Sequence, residues 1–179
     1  MKKRRIILGV TGSIAAYRSA DITRALIEKG LRVSVVMTKT AENFITPLTL
    51  SSLSGEKVYT SMFDGSFDGK MPHIDLASEA DALLIAPATA DIIGKLSNGL
   101  ADDLLTCIAL GTKAPIFLAP AMNTEMYQNK IVQDNCTKLK KHGVKFIDPV
   151  KGKLACGVVG DGHIADEQTI IKTILDFLK

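Results

Sequence analysis

Continuous apolar runs recur along the chain at Arg5–Val10 (RIILGV), Arg32–Met37 (RVSVVM), Asp81–Ala86 (DALLIA), Ala114–Ala119 (APIFLA) and Val144–Ile147. Each is bounded by turn-forming or charged residues, and each predicts a strand buried on both faces. A shorter strand is expected within Lys57–Met62. Between the runs, apolar residues return at helical spacing over Ile14–Lys29, where Gly30 is a stop, and over residues 46–54. The same spacing marks the stretches that open at His73, behind Pro87 and at Ala101, then Asn129–His142 and Asp166–Lys179. Strand and helix alternate, which predicts an α/β fold: a single-domain, Rossmann-like, doubly wound parallel sheet of about six strands with helices on both faces.

In such a sheet ligands collect at the carboxyl ends of the strands, so the turns there matter most. Gly9-Val-Thr-Gly12-Ser13-Ile14 follows the first strand. It is neither a Walker loop nor a full G-x-G-x-x-G. A plain tight turn and a phosphate cradle at a helix N-terminus, lined by N–H groups and the Ser13 hydroxyl, both satisfy its spacing. Thr38 and Thr40 offer two hydroxyls after the second strand, or a helix cap. Asp64–Met71 (DGSFDGKM) is rich in turn residues and is expected to be mobile. His73 opens the helix behind it, a place for a cap or for acid–base work near neutral pH. Ala119–Met126 (APAMNTEM) sets Ala121, Met122, Asn123 and Met126 at the rim; alone, Asn123 reads as an N-cap.

Thr89, in Pro87–Gly94, and Thr106, in Ala101–Thr106, stand where small residues would let a flat ring approach the backbone. Ordinary helix initiation at Thr89 and Asp102 also accounts for them. Lys151–Gly162 (KGKLACGVVGDG) is a glycine-rich loop around Cys156, whose small neighbours and nearby Lys151 and Lys153 suit an accessible, activated thiol. Cys107 reads as a core residue and Cys136 has no evident role.

Composition narrows the classes. The chain has 179 residues, 46% hydrophobic and 23% charged, which suits one soluble domain over residues 1–179. Net charge is +3, with Lys2, Lys3, Arg4 and Arg5 at the start, so the body is nearly neutral. Aromatic residues are 5% and tryptophan is absent, which leaves little for a platform that stacks nucleic-acid bases. The opening KKRRIILGV is broken by Thr11, Gly12 and Ser13 and reads as a strand entering a turn, not a leader. No apolar run approaches the ~18 residues of a membrane span. Three widely spaced cysteines suit a reducing cytoplasm, and His73, His142 and His163 lie too far apart for a metal site.

Taken together, Gly9-Val-Thr-Gly-Ser-Ile-Ala-Ala-Tyr17, His73-Ile-Asp-Leu-Ala77, Pro120-Ala-Met-Asn-Thr-Glu-Met126 and Leu154-Ala-Cys-Gly157 resemble the flavin-containing cysteine decarboxylases. The likeness spans the chain and is closest to the branch that decarboxylates phosphopantothenoylcysteine in coenzyme A biosynthesis. It implies FMN as cofactor and 4′-phospho-N-pantothenoylcysteine as substrate, with thiol oxidation to a thioaldehyde, loss of carbon dioxide and re-reduction of the enethiolate to 4′-phosphopantetheine. By the same resemblance His73 is the acid or base, Asn123 holds the substrate carboxylate, and Cys156 protonates the enethiolate. Ala121, Met122 and Met126 then shape the substrate pocket, and Gly12, Ser13, Ile14, Thr38, Thr89 and Thr106 bind FMN. It also implies a cytoplasmic homo-oligomer, a trimer or dodecamer, and a separate phosphopantothenate–cysteine ligase, since no ligase domain is read here. Two positions depart from the pattern: Asp91 stands where asparagine is common, and His163 where bacterial members often have arginine.

Two relatives remain as alternatives: an oxidative peptidyl-cysteine decarboxylase, and a non-catalytic flavin-binding regulatory protein. The Leu-Ala-Cys-Gly stretch argues against the first, and the lack of acidic or low-complexity extensions against the second. An NAD dehydrogenase needs an acidic residue after the second strand, and Met37-Thr38-Lys39 has none.

Overall fold

The computed structural model describes residues 3–63, 71–153, 157 and 159–179. The first strand, β1 (Arg5–Val10), is buried along its length and leads through a 3-10 turn (Ile14–Tyr17) into α1 (Arg18–Glu28). Then come β2 (Arg32–Met37), α2 (Pro47–Ser54), α3 (Pro72–Glu79), β3 (Ala82–Ala88), α4 (Ala90–Ser97) and α5 (Leu104–Gly111). The rest comprises β4 (Ile116–Pro120), α6 (Thr124–Gln128), α7 (Lys130–Lys141), β5 (Lys145–Phe146), β6 (Val150–Lys153), β7 (Val159–His163) and α8 (Glu167–Leu178).

β1 to β5 form a parallel sheet in the order β2-β1-β3-β4-β5. Alternate strand residues serve opposite faces, as the pleat requires. Ile6, Leu8, Val10, Val35, Leu84 and Phe117 pack with Ile22 and Leu26 of α1, Leu50 of α2 and Ile170 and Ile174 of α8. Ile7, Val36, Leu83, Ile85 and Leu118 meet Leu76 of α3, Ile92 and Ile93 of α4, Leu105 and Ile108 of α5 and Leu139 of α7. Each such side chain contributes about 1.5–3 kcal/mol on burial, so the doubly wound order follows from two apolar strand faces each needing helices.

Three expectations are refined. The helix over Ile14–Lys29 opens as a 3-10 turn, because Ser13 Oγ accepts from Ala15 N at 3.3 Å and tightens its start. The strand within Lys57–Met62 reduces to one bridge, Tyr59 to Val36, with Met37 N donating to Tyr59 O at 2.8 Å. The Lys151–Gly162 loop contributes to an antiparallel pair, β6 with β7, which its glycines disguise. The expected mobility of Asp64–Met71 concerns residues that, Met71 apart, lie outside those described.

At the amino edge Arg5 is nearly buried. Its Nε donates to Ser34 Oγ at 2.9 Å, and its guanidinium pairs with Glu79 at the end of α3. Ser34 Oγ donates onward to Glu56, which also pairs with Arg32. This network fixes β1, β2 and α3 at the end of the sheet remote from the turns that carry the candidate chemistry. Among the described residues no helix is long and apolar enough to cross a membrane.

Candidate active site

The carboxyl ends of β1 to β4 carry four turns, and short polar contacts knit them into one rim. After β1, Gly12 lies so close to Thr40 that a Cβ there would sit 2.5 Å from the Thr40 side chain. Only glycine lets this turn meet the one after β2, where Thr38 Oγ1 and Thr40 Oγ1 are 3.1 Å apart. Thr11, 1% exposed, reaches the other way: its hydroxyl donates to Pro87 O at 2.7 Å and accepts from Thr89 N at 3.2 Å. Past β3, Ala121 N donates to Ala88 O at 3.0 Å, which joins the turn after β4. Met122 N then donates to Gly162 O at 3.0 Å, and Thr124 Oγ1 to Asp161 O at 2.7 Å, which docks β7 on the same rim.

Gly12, Ser13, Ile14, Thr38, Thr89, Ala121, Met122 and Asn123 all lie on this rim or border it. Local capping explains part of their geometry. Thr89 Oγ1 accepts from Ile92 N at 3.4 Å at the start of α4, and Asn123 Oδ1 accepts from Glu125 N at 2.8 Å at the start of α6. Ser13 is the N-cap of the 3-10 turn, and the helical run from Ile14 to Glu28 begins behind it. Ile14, Tyr17 and Met126 are about half exposed beside these polar groups. The hydroxyls suit a phosphate and the exposed apolar side chains suit a planar ring, while Ser13 N, Ala15 N and Ala16 N at the helix opening already donate within the turn, to Thr11 O, Ser13 Oγ and Ser13 O.

Thr106 is placed differently. It is fully buried, and its hydroxyl is engaged with Asp103 in the capping box that starts α5. Asp103, not Asp102, is that cap. Asp102 instead meets Lys95 Nζ at 3.0 Å, and Asp91, the departure from asparagine, meets the same ammonium at 3.4 Å. Lys95 holds the Asp102 carboxyl below its ordinary range. His163 folds back on its own hairpin, with Nδ1 2.9 Å from Ile164 O and its ring close to Gly152.

His73 stands in the first turn of α3, behind Pro72. Its Nδ1 is buried without a hydrogen-bond partner. It lines a groove of about 420 Å³ between α3 and α5 with Ile74, Ala77, Ser78, Gly111 and Lys113. Cys156 lies outside the described residues. Cys107, expected in the core, is only half-buried on α5, with Sγ 3.6 Å from Ala101 O, whereas Cys136 is the buried one and belongs to the core on the α7 side. Burial pushes both thiols up, with Asp103 adding to the effect at Cys107. The neutral thiol is thus favoured, and in a Cys156→Ser variant disulfide-exchange labelling should be slow at pH 7, rising only as pH passes the ordinary thiol range. Rapid labelling of both thiols at pH 7 would contradict it.

Sequence reasoning did not single out Thr11, Thr124 or Gly162. A threonine inside a glycine turn was the only signal for the first.

A family model described as Flavoprotein matches residues 1–179. A Streptococcus mutans protein described as “Probable phosphopantothenoylcysteine decarboxylase” is 46% identical over 173 residues, which is 96% of this chain and 97% of the relative. “Coenzyme A biosynthesis bifunctional protein CoaBC” of Vibrio parahaemolyticus is 44% identical over 176 residues, or 98% of this chain. The chain spans 44% of the length of that bifunctional relative. Among solved structures, a cysteine-to-serine mutant of PPC decarboxylase complexed with pantothenoylaminoethenethiol superposes with a TM-score of 0.92 at 33% identity, covering 99% of each chain.

Proposed function

This chain belongs to the flavoprotein family, and from that premise we propose that it is an FMN-dependent phosphopantothenoylcysteine decarboxylase that converts 4′-phospho-N-pantothenoylcysteine to 4′-phosphopantetheine. The observation that carries the reading is the end-to-end likeness, in sequence and in fold, to decarboxylases of about the same length. The reading also implies the cytoplasm, a homo-oligomer, and a separate ligase that makes the substrate.

The turn after β1 would hold the FMN phosphate through the Ser13 hydroxyl and the amides of the glycine turn, with Thr38 beside it and Thr89 on the ring side. Gly12 and Ile14 would leave the backbone open on the ring side. When bound, FMN supplies the two-electron oxidation of the substrate thiol to a thioaldehyde and the later return of those electrons. A C=S group beta to the carboxylate is the electron sink that carbon dioxide loss needs. The Asn123 amide N–H groups would hold the carboxylate as it leaves, with Ala121, Met122 and Met126 walling off water. His73, which lines the α3–α5 groove, would take the thiol proton as general base. Cys156 Sγ would place a proton on the enethiolate, so that the substrate regains C=S and accepts the returning electrons.

The test is the mass of the product formed when FMN-loaded protein is incubated with phosphopantothenoylcysteine. Loss of carbon dioxide alone is expected. Loss of carbon dioxide plus two hydrogens would point instead to an oxidative decarboxylase, and unchanged substrate with flavin bound to a regulatory protein. Cys156→Ser should divert the product to the dehydrogenated enethiol while carbon dioxide release continues. Full product from that variant would remove Cys156 from the mechanism.

A further inference from the structure

We infer that Thr11 is a positioning residue for the flavin site: its hydroxyl locks the turn after β1 to the turn after β3, and so fixes the distance between the phosphate-side and ring-side loops. The inference rests on the flavin reading above and adds a residue to it.

The geometry is specific. The side chain is almost wholly buried, and it is engaged as both donor and acceptor, to Pro87 O and from Thr89 N, across more than seventy residues of sequence. Thr11 O also accepts from Ser13 N at 2.9 Å, so the same residue shapes the glycine turn on its own side. On the far side the bonded amide belongs to Thr89, whose hydroxyl starts α4. One hydroxyl therefore sets where Gly12, Ser13 and Thr89 lie relative to one another. β1 and β3 are already paired in register from Ile6–Ala82 to Gly9–Ile85. That pairing ends before these turns, so the Thr11 bonds carry the register past the last strand pair. A buried carbonyl and amide deprived of their shared partner would seek new ones, and the two loops would drift apart.

The experiment titrates apoprotein with FMN by quenching of flavin fluorescence, alongside the thermal midpoint of each apoprotein. Thr11→Val keeps the shape and removes both hydrogen bonds; Thr11→Ser restores them. The valine variant should bind FMN about tenfold more weakly or worse, while serine stays within about twofold of wild type, a loss of the size an unsatisfied buried pair implies. A valine variant with wild-type affinity overturns the inference. So does a serine variant as weak as valine at equal apoprotein stability, because the hydroxyl would then not be the cause. If valine does not fold, exchange of the Thr89 amide in wild type decides: it should slow when FMN binds, and unchanged exchange overturns the inference. Wild-type protein that binds no FMN at all would instead bring down the flavin reading itself, a result distinct from every other.

Discussion

Replacing His73 with asparagine should lower carbon dioxide release by about 10²–10⁴-fold, the range that a positioned general base commonly supplies. The variant should still fold and still bind flavin. α3 is anchored without His73: Leu76 and Ala77 are buried, Thr112 Oγ1 donates to Ala77 O at 2.9 Å, and Glu79 pairs with Arg5. His73 Nδ1 is itself unpartnered, so losing that atom breaks no hydrogen bond. The expected combination is unchanged thermal midpoint, unchanged FMN titration and nearly abolished turnover. Undiminished carbon dioxide release would take the proton transfer away from His73. A parallel loss of stability would mean that the imidazole acts as packing in the α3–α5 groove.

Gly162→Ala should be the most disruptive single change on the rim. Gly162 has a φ of 114°, a region L side chains rarely adopt, and its new Cβ would sit 2.4 Å from Met122 O. Backbone on both sides leaves no flexible atom to yield. The strain should cost about 1–3 kcal/mol, read as a fall in Tm of roughly 2–4 °C per kcal/mol for a domain of this size. The same change loosens the Met122–Gly162 and Thr124–Asp161 bonds that dock β7 beside Asn123. Cys156 lies between β6 and β7 in sequence, so the dehydrogenated enethiol should accumulate at the expense of full product. A variant with wild-type Tm and wild-type product would show that this docking does not govern the site.

The sheet was legible because buried parallel strands leave continuous apolar runs, and all five runs became strands. The short strand expected within Lys57–Met62 narrows to a single bridge, because among these residues only Tyr59 exchanges backbone hydrogen bonds with the outer side of β2 in the described structure. β6 and β7 were hidden by Gly152, Gly160 and Gly162. These glycines answer to close tertiary neighbours, His163, Thr124 and Met122, and local propensity cannot register such neighbours. At the rim, Asn123 and Thr89 show why motif and cap are hard to separate: each does cap a helix, at the very edge where ligands bind. Thr11 escaped notice because its two partners lie more than seventy residues away.

The sheet's margins bear on whether sheets of separate copies of this chain could join edge to edge. β5 has only two residues, one of them lysine, and β2 has Tyr59 laid along its outer side. Neither margin offers the long row of open amides and carbonyls on which a second sheet grows. Strand-to-strand polymerisation is thereby discouraged at both ends of the five-stranded sheet, and any contact between copies would fall to side-chain surfaces. Contacts between side-chain surfaces give a ring where their rotation closes and a filament where it does not, so the margins block growth of the sheet and leave the number of subunits to those surfaces.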